Sequence, residues 1–371
     1  MKFQVSKQIF FKSLTHLQGI VDKKNSLPIL SNILIEAKNN SLTLSSTDMD
    51  ISIIEKISCD ILEDGSTTIN SQILYDIVRK LDDNSQIEII SNNGKLLTLR
   101  SDESRFSLAC LPKEDFPMID LTNEGISIKI NSQNFFKLID KTKFAISNEE
   151  TRYFLNGLYL NINNDDENTH LTLVGTDGHR LAKSEHNIEN ISELISGVIV
   201  PKKTIYELSK LLTELDDDIE INISSTKIVF YIDNLIFISK LIDGTFPDYK
   251  RVIPTDNKNV VEINRHKLLS AVDRVSTIAN EKSPSIKFKL LNNLINLSSI
   301  NSENSTATED IEANYIGDEI EIGFNSRYIM DILDNLEEEE IKISFNDNSS
   351  PIIVQEKSSS DNIYVLMPMR V

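Results

Sequence analysis

One pattern is spelled three times along this chain. Phe3-Gln4-Val5-Ser6-Lys7-Gln8-Ile9-Phe10-Phe11-Lys12 is echoed by Ile128-Lys129-Ile130-Asn131-Ser132-Gln133-Asn134-Phe135-Phe136-Lys137, and again by Val261-Glu262-Ile263-Asn264-Arg265-His266-Lys267-Leu268-Leu269-Ser270. Each copy opens with a short alternating strand, passes a Ser or Asn able to accept a helix's first N–H groups, and enters an amphipathic helix. A second triplet follows within the copies, at Ile69–Ile77, Val200–Leu208 and Phe324–Ile332. Its offsets, 131 and 124 residues, match the 125 and 133 of the first triplet. Solenoid and propeller units run about 20 to 50 residues, so a period this long is a whole domain. The expected fold class is α+β, three tandem copies of one domain, each with two helices beside antiparallel sheets.

Length agrees, because 371 residues exceed what one hydrophobic core usually organises. Polar linkers near Leu121 to Gly125 and Pro254 to Asn259 place the expected domains at 1–122, 126–253 and 259–371. Each linker follows a Phe-Pro element, Phe116-Pro117 and Phe246-Pro247, whose offset is again 130. The third copy ends instead in Met367-Pro368-Met369-Arg370-Val371. Short strands are predicted at Ser41–Ser45, Gln86–Ile89, Glu220–Ile223, Ile228–Ile232 and Leu235–Ile238, with Asn92-Asn93-Gly94 as a hairpin turn. The patches Ser302 to Asp310 and Glu337 to Glu340 read as solvated loops. No apolar run reaches 18 residues and no basic-then-apolar leader opens the chain, so a soluble cytoplasmic protein is expected. Cys59 and Cys110 lie in apolar, strand-like contexts without metal-ligand spacing and read as buried free thiols.

The net charge of −19 taken alone argues against a nucleic-acid partner, but its distribution argues for one. The six predicted helical segments sum to +9, leaving −28 for the remainder. Helix propensity does not explain that imbalance, since Glu suits helices as well as Lys does. Lys137 and Lys141 fall on one helix face, as do Lys267 and Arg274. The opposite faces carry Phe135, Leu138, Ile139 and Thr142, and Leu268, Val272 and Val275. These helices are apolar toward a sheet and basic toward something anionic.

Catalytic equipment is sparse. There is no phosphate-binding glycine loop, no histidine has a partner at metal spacing, and no cofactor or metal is expected. In Gly175-Thr176-Asp177-Gly178-His179-Arg180-Leu181 an acid lies near a His, but the first copy repeats Thr47-Asp48 without one. That reads as a structural turn which the second copy has specialised.

The chain resembles the bacterial DNA polymerase III beta subunit family, the processivity sliding clamps, over essentially its whole length. The motifs are Met1-Lys2-Phe3, Leu27-Pro28-Ile29-Leu30, Arg105-Phe106-Ser107-Leu108 and Arg152-Tyr153-Phe154-Leu155-Asn156-Gly157. They continue in Thr176–Leu181, Phe246-Pro247-Asp248-Tyr249-Lys250-Arg251-Val252 and Met367-Pro368-Met369-Arg370. The resemblance implies a homodimer, joined head to tail into a six-domain ring around duplex DNA, with helices lining the hole and no enzyme activity. It also implies a groove for short peptides bearing a Gln and hydrophobic anchors. The groove maps to Leu155, Thr176, Gly178, His179, Arg180, Leu181, Pro247, Arg251, Val252, Val365, Met367, Pro368, Met369 and Arg370. Soft methionines suit a groove with many partners. The partners implied are the polymerase III alpha subunit, the delta subunit of an ATP-driven clamp loader, other DNA polymerases and repair factors, with no membrane.

DNA-facing positions implied by the resemblance are Lys24 and Tyr153; the basic helices add Lys137, Lys141, Lys202, Lys203, Arg265, Lys267 and Arg274. Two departures stand beside them: Glu149 is acidic where Gln is familiar, and Phe154 lacks a Tyr hydroxyl. The subunit interface maps to Arg105 and Phe106 on one side and Thr277 and Ile278 on the other. Two other readings stand against the ring. One is a non-ring adaptor of three tandem peptide-binding domains. The other is a nuclease using Asp48, Asp177 and Asp248.

Overall fold

A computed structural model describes residues 1–21, 27–91, 95–122, 125–164, 168–189, 197–213, 215–280, 283–301 and 304–370. Lys24, the turn Asn92–Gly94, residues 123–124 of the first linker, residues 302–303 and Val371 therefore lie outside the described residues.

Both sequence triplets fold as strand-then-helix. The helices are α1 (Lys7–Gln18), α2 (Ser71–Arg79), α3 (Ser132–Lys143), α4 (Lys202–Leu212), α5 (Arg265–Ser276) and α6 (Ser326–Asp334). The capping residues start them as the sequence requires. Asn70, Asn264 and Asn325 side chains accept the N–H groups of Ile73, Lys267 and Arg327 at 3.0, 3.1 and 3.0 Å. Each such cap is worth about 1 kcal/mol, since it satisfies a donor that the helix itself cannot.

The chain forms two compact units, residues 1–133 with 206–241, and residues 134–205 with 242–371. The first is built on a thirteen-stranded sheet. Within it Ile51–Ser58 of the first copy pairs antiparallel with Leu235–Lys240 of the second, Ile53 opposite Phe237. The second unit holds an eight-stranded and a four-stranded sheet. There Arg180–Ile188 of the second copy pairs antiparallel with Asn362–Leu366 of the third, Leu181 opposite Val365. Hydrogen bonding thus runs across repeat junctions, which is why unit boundaries do not follow repeat boundaries. Alternation buries one face of each strand. The helices cover it with Phe10, Leu14 and Leu17 from α1, and Leu268, Val272 and Val275 from α5.

Three expectations are corrected. The patch Ser302 to Asp310, expected as loop, runs from Thr306 into an edge strand, Thr306–Glu312, bonded to Leu294–Ile300. Glu337 and Glu338 are not merely solvated: Glu337 pairs with Lys141, and Glu338 accepts the N–H groups of Lys357 and Ser358. Cys59 and Cys110 are free thiols but only half-buried. Burial, with Asp60 adding to it, still pushes Cys59 up to about 11, so its reactive thiolate is scarce at neutral pH. No helix among the described residues is long and apolar enough to cross a membrane.

Candidate functional site

The segment singled out in the second copy is a turn between the strands Thr169–Thr176 and Arg180–Ile188. Asp177 Oδ1 accepts the N–H groups of His179 and Arg180, at 2.9 and 3.0 Å. Thr176 Oγ1 accepts from Gly178 N–H at 3.1 Å and donates to the Arg180 carbonyl at 2.6 Å. Gly178 has φ +87°, a conformation that side chains with a Cβ rarely adopt. The first copy builds the same turn: Asp48 Oδ1 accepts from Asp50 and Ile51 at 3.0 and 2.7 Å, and Thr47 Oγ1 accepts from Met49. Asp177 and Asp48 are therefore spent on backbone, and Asp248 pairs with Arg251 at 2.9 Å. No group of three or more His, Cys, Asp or Glu that could hold a metal occurs among the described residues. Asp177 and Asp48 build the turns.

Around the turn the predicted groove residues separate into floor and rim. Leu155, Leu181 and Val365 are buried in one cluster with Val174, Ile199, Phe246 and Tyr249. The stacked rings of Tyr159 and Phe246, 4.8 Å apart, extend it. Gly178, His179, Pro247, Arg251, Val252, Met367 and Arg370 are exposed, with Thr176, Pro368 and Met369 half-buried. Backbone bonds fix this rim. Met367 N–H donates to the His179 carbonyl at 3.0 Å, and Met369 N–H donates to the Gly323 carbonyl at 2.7 Å. The result is an apolar floor under a rim of Met, Pro and Arg, suited to a short segment with hydrophobic anchors.

Arg180, expected among the groove residues, turns its guanidinium toward the chain itself: only 9% of its side chain is exposed, and it donates to Asp177, Asp331 and the Phe144 carbonyl. Arg251, 86% exposed, and the exposed Arg370 are the cations a partner can reach. A neighbour missed in the sequence is Arg152. Glu149 holds it through two contacts of 2.7 Å, and its Nη1 stands 2.7 Å from where a Cβ on Gly178 would lie. Its membership of the Arg152-Tyr153-Phe154-Leu155 motif was the available signal.

The basic helix faces are partly as expected. Lys137, Lys203 and Lys267 are exposed, and Tyr153 is 54% exposed with its ring edge-on to Phe154. Lys202 bonds Asn148, and Arg274 pairs with Glu309. Lys141 is a correction: it is 8% exposed, donates to the Asn335 carbonyl at 2.7 Å and pairs with Glu337 at 2.7 Å. Arg265 is another, since it donates to the carbonyls of Leu333 and Glu338 and so caps the C-terminal end of α6. These two charges serve the protein's interior.

Arg105 and Phe106 lie on the strand Ser104–Leu111. On one side Ser104 to Ala109 pair with Leu96–Ser101; on the other, among the described residues, only Cys110 and Leu111 pair with a strand, so the stretch before them is an open edge. Thr306–Glu312 is an edge strand of the four-stranded sheet. Thr277 and Ile278 follow α5, whose Arg274 reaches Glu309 on that edge strand.

Profiles for the N-terminal, central and C-terminal domains of the DNA polymerase III beta subunit match residues 1–120, 129–248 and 250–370. The beta sliding clamp of Caulobacter vibrioides is 40% identical over 374 residues, covering all of both chains. That of Pseudomonas aeruginosa is 34% identical over 372 residues, again covering both completely. Among solved structures, the sliding clamp of Bartonella birtlesii bound to griselimycin is 41% identical, with TM-score 0.97 over the whole of both chains. The clamp of Caulobacter crescentus with a bound polyethylene glycol matches at TM-score 0.97 and 40% identity, covering all of this chain and 99% of that one.

Proposed function

The chain belongs to the DNA polymerase III beta subunit family, the sliding clamps, and from that premise we propose that two copies close head to tail into a ring that tethers the polymerase to duplex DNA. The observation that carries this reading is the way successive copies are joined. Twice within the chain an edge strand of one copy pairs antiparallel with a strand of the next. Among the described edges, the start of Ser104–Leu111 and the outer strand Thr306–Glu312 are the ones taken here for the same kind of junction between copies. Arg105 lies on the first strand, and Glu309, Asp310 and Glu312 lie on the second. An unpaired strand edge is a template for pairing with another chain. Two different edges meeting head to tail close a ring when the rotation closes. Phe106 and Ile278, with Arg105 and Thr277, form the contact.

The basic helix faces then line the hole, with Lys137, Tyr153, Lys202, Lys203, Lys267 and Arg274 toward the duplex, and Lys24 is a further proposed DNA contact. A sliding ring must not read bases, because specific contacts of about 1–3 kcal/mol each would stall it. Diffuse lysines neutralise phosphate at every register. The groove beside His179 and Met367 takes a peptide with a Gln and hydrophobic anchors from the alpha subunit, from the delta subunit of an ATP-driven loader, or from other polymerases and repair factors. Griselimycin, bound by the Bartonella clamp, is expected to compete for it. The proposed domain limits are 1–122, 126–253 and 259–371, and the proposed site of action is the cytoplasm. A non-ring adaptor leaves the open edges and the basic helices without a role.

The test is topological. Protein loaded onto a nicked circular plasmid by an active loader with ATP is washed in high salt, and half the sample is linearised. Retention on circles with release from linear DNA is expected. Equal loss from both would leave only electrostatic binding and overturn the ring.

A further inference from the structure

One position on the first helix of each copy is filled in three different ways. Offsets of 125 and 133 residues bring Lys141 of α3, and then Arg274 of α5, to the place of His16 in α1. Lys141 donates to the Asn335 carbonyl at 2.7 Å, and Arg274 Nε donates to Glu309 at 3.0 Å. Each of these puts a permanent cation on an alkyl stem. His16 is shorter, and its Nδ1 stops 3.0 Å from Glu55 Oε2. Glu55 is itself unusual, a carboxylate only 4% exposed, whose other oxygen accepts the Ser13 hydroxyl at 2.8 Å. Counted from the matched turn aspartates Asp48 and Asp177, the second copy has Ser184 in its place.

The first copy is therefore left with a buried negative charge and more space. Its cavity is about 250 Å³, against about 150 Å³ beside Lys141 and Ser184. Water occupies about 30 Å³ per molecule in the liquid, so the larger cavity has room for a ligand of several heavy atoms. Ile9, Ile57, Leu211, Leu215 and Ile232 wall it, and the buried Glu55 with His16 forms its base. Lys12 and Asp233, both exposed, stand at its mouth. A carboxylate removed from water is costly unless cations or enough donors meet it. Glu55 is met by a hydroxyl and an imidazole, neither of them a permanent cation, and an ionised carboxylate can accept about four hydrogen bonds.

We propose that this cavity binds small linear amines, an ammonium group on Glu55 taking the place that Lys141 and Arg274 fill from within the chain in the other copies. The alkyl body lies against the isoleucine and leucine walls, and a diamine extends its second ammonium to Asp233. Lys12 opposes any entering cation and lowers its affinity. The occupant is a free linear diamine or polyamine, a cation of the kind that accompanies nucleic acid. A lysine side chain has no second charge to offer Asp233.

The experiment titrates butylamine, putrescine and acetyl-lysine methylamide into the full-length protein at about 0.15 M salt, where long-range surface attraction is screened. The methyl resonances of Ile57 and Ile232 report binding. Putrescine is expected to bind most tightly, with a dissociation constant of about millimolar for so few heavy atoms. Glu55→Gln should weaken it at least about tenfold, the size of one charge-assisted hydrogen bond. Asp233→Asn should bring putrescine to the level of butylamine, and Lys12→Gln should tighten both about twofold. His16→Lys supplies the ammonium from the chain, as Lys141 does, so it should abolish binding without lowering the melting temperature. That variant also keeps the measurement available should Glu55→Gln not fold. Unshifted methyl resonances in the parent would overturn the site. So would equal shifts in the parent, Glu55→Gln and His16→Lys, which would be attraction to the acidic surface at large. A lysine amide that binds as tightly as putrescine would overturn the free diamine as occupant.

Discussion

At the residue scale, the repeat supplies its own controls. Met49 and Gly178 occupy the same turn position at φ +83° and +87°. An L side chain there costs about 1–2 kcal/mol, whereas replacing it with glycine gives back about 0.4–1 kcal/mol of unfolded-chain entropy. Met49→Gly should therefore stabilise the chain by up to about 1 kcal/mol in thermal melting. Gly178→Ala should cost about 1 kcal/mol by the same balance, and it should also weaken groove binding, because the new Cβ displaces Arg152. A silent Gly178→Ala in both assays would remove Arg152 from the rim. Lysines at α3 provide a second contrast. Lys137→Gln should lower the salt slope of DNA retention by about 0.9 for each phosphate left without a cation, and leave stability alone. Lys141→Met should do the reverse. It leaves the Asn335 carbonyl without its partner, for about 1–2 kcal/mol, the Glu337 pairing adding little because that carboxylate is largely exposed. Salt-dependent retention alongside melting curves checks both. Helical spacing placed the two lysines on one face, but it could not see the carbonyl and carboxylate that a later copy brings over Lys141.

At the element scale, what was legible was local. Strand-to-helix starts could be read because the capping Asn or Ser and the apolar period are both in the sequence, and α2, α5 and α6 begin where those signals lie. The strand Thr306–Glu312 was not legible. As an edge strand it exposes most of its side chains, so its composition, Thr-Ala-Thr-Glu-Asp-Ile-Glu, is that of a loop. Matching helices also differ in what they meet. His16 of α1, at the position of Lys141, turns to Glu55 at 3.0 Å and leaves a cavity of about 250 Å³ beside Leu211. Lys141 reaches further, and its counterpart cavity is about 150 Å³. The first linker makes a pH prediction. Lys227 bonds Asp120, and Thr122 adds backbone and hydroxyl donors; together they hold this carboxyl down at about 2, below its ordinary 3.8. A carboxyl depressed on folding stabilises above its ordinary pKa and loses that contribution as pH falls toward the folded value. Asp120→Asn should therefore be less stable than the parent at neutral pH. The gap in melting temperature should close between about pH 4 and about pH 2. A gap unchanged across that window would mean the ion pair does not anchor the linker.

At the scale of the whole molecule, ring closure multiplies small effects. A head-to-tail dimer has two identical interfaces, so any substitution acts twice. Phe106 stands half-exposed on the open edge strand, and Ile278 half-exposed beyond α5. Burying each against a partner contributes about 1.5–3 kcal/mol per interface by apolar area. Phe106→Asp or Ile278→Asp removes that contribution at both interfaces, and it adds a carboxylate that must be desolvated there. The dimer dissociation constant should rise by at least about 10² to 10⁴. Neither residue belongs to the buried core, so the variants should melt within a few degrees of the parent while light scattering reports monomers. Retention on nicked circles should vanish, because an open chain has no topological hold, and peptide binding should persist, because the groove is complete within one chain. A variant that stays dimeric in light scattering would place the interface on some other surface. One that turns monomeric and still resists a high-salt wash on circles would show that encirclement is not what holds the protein to DNA.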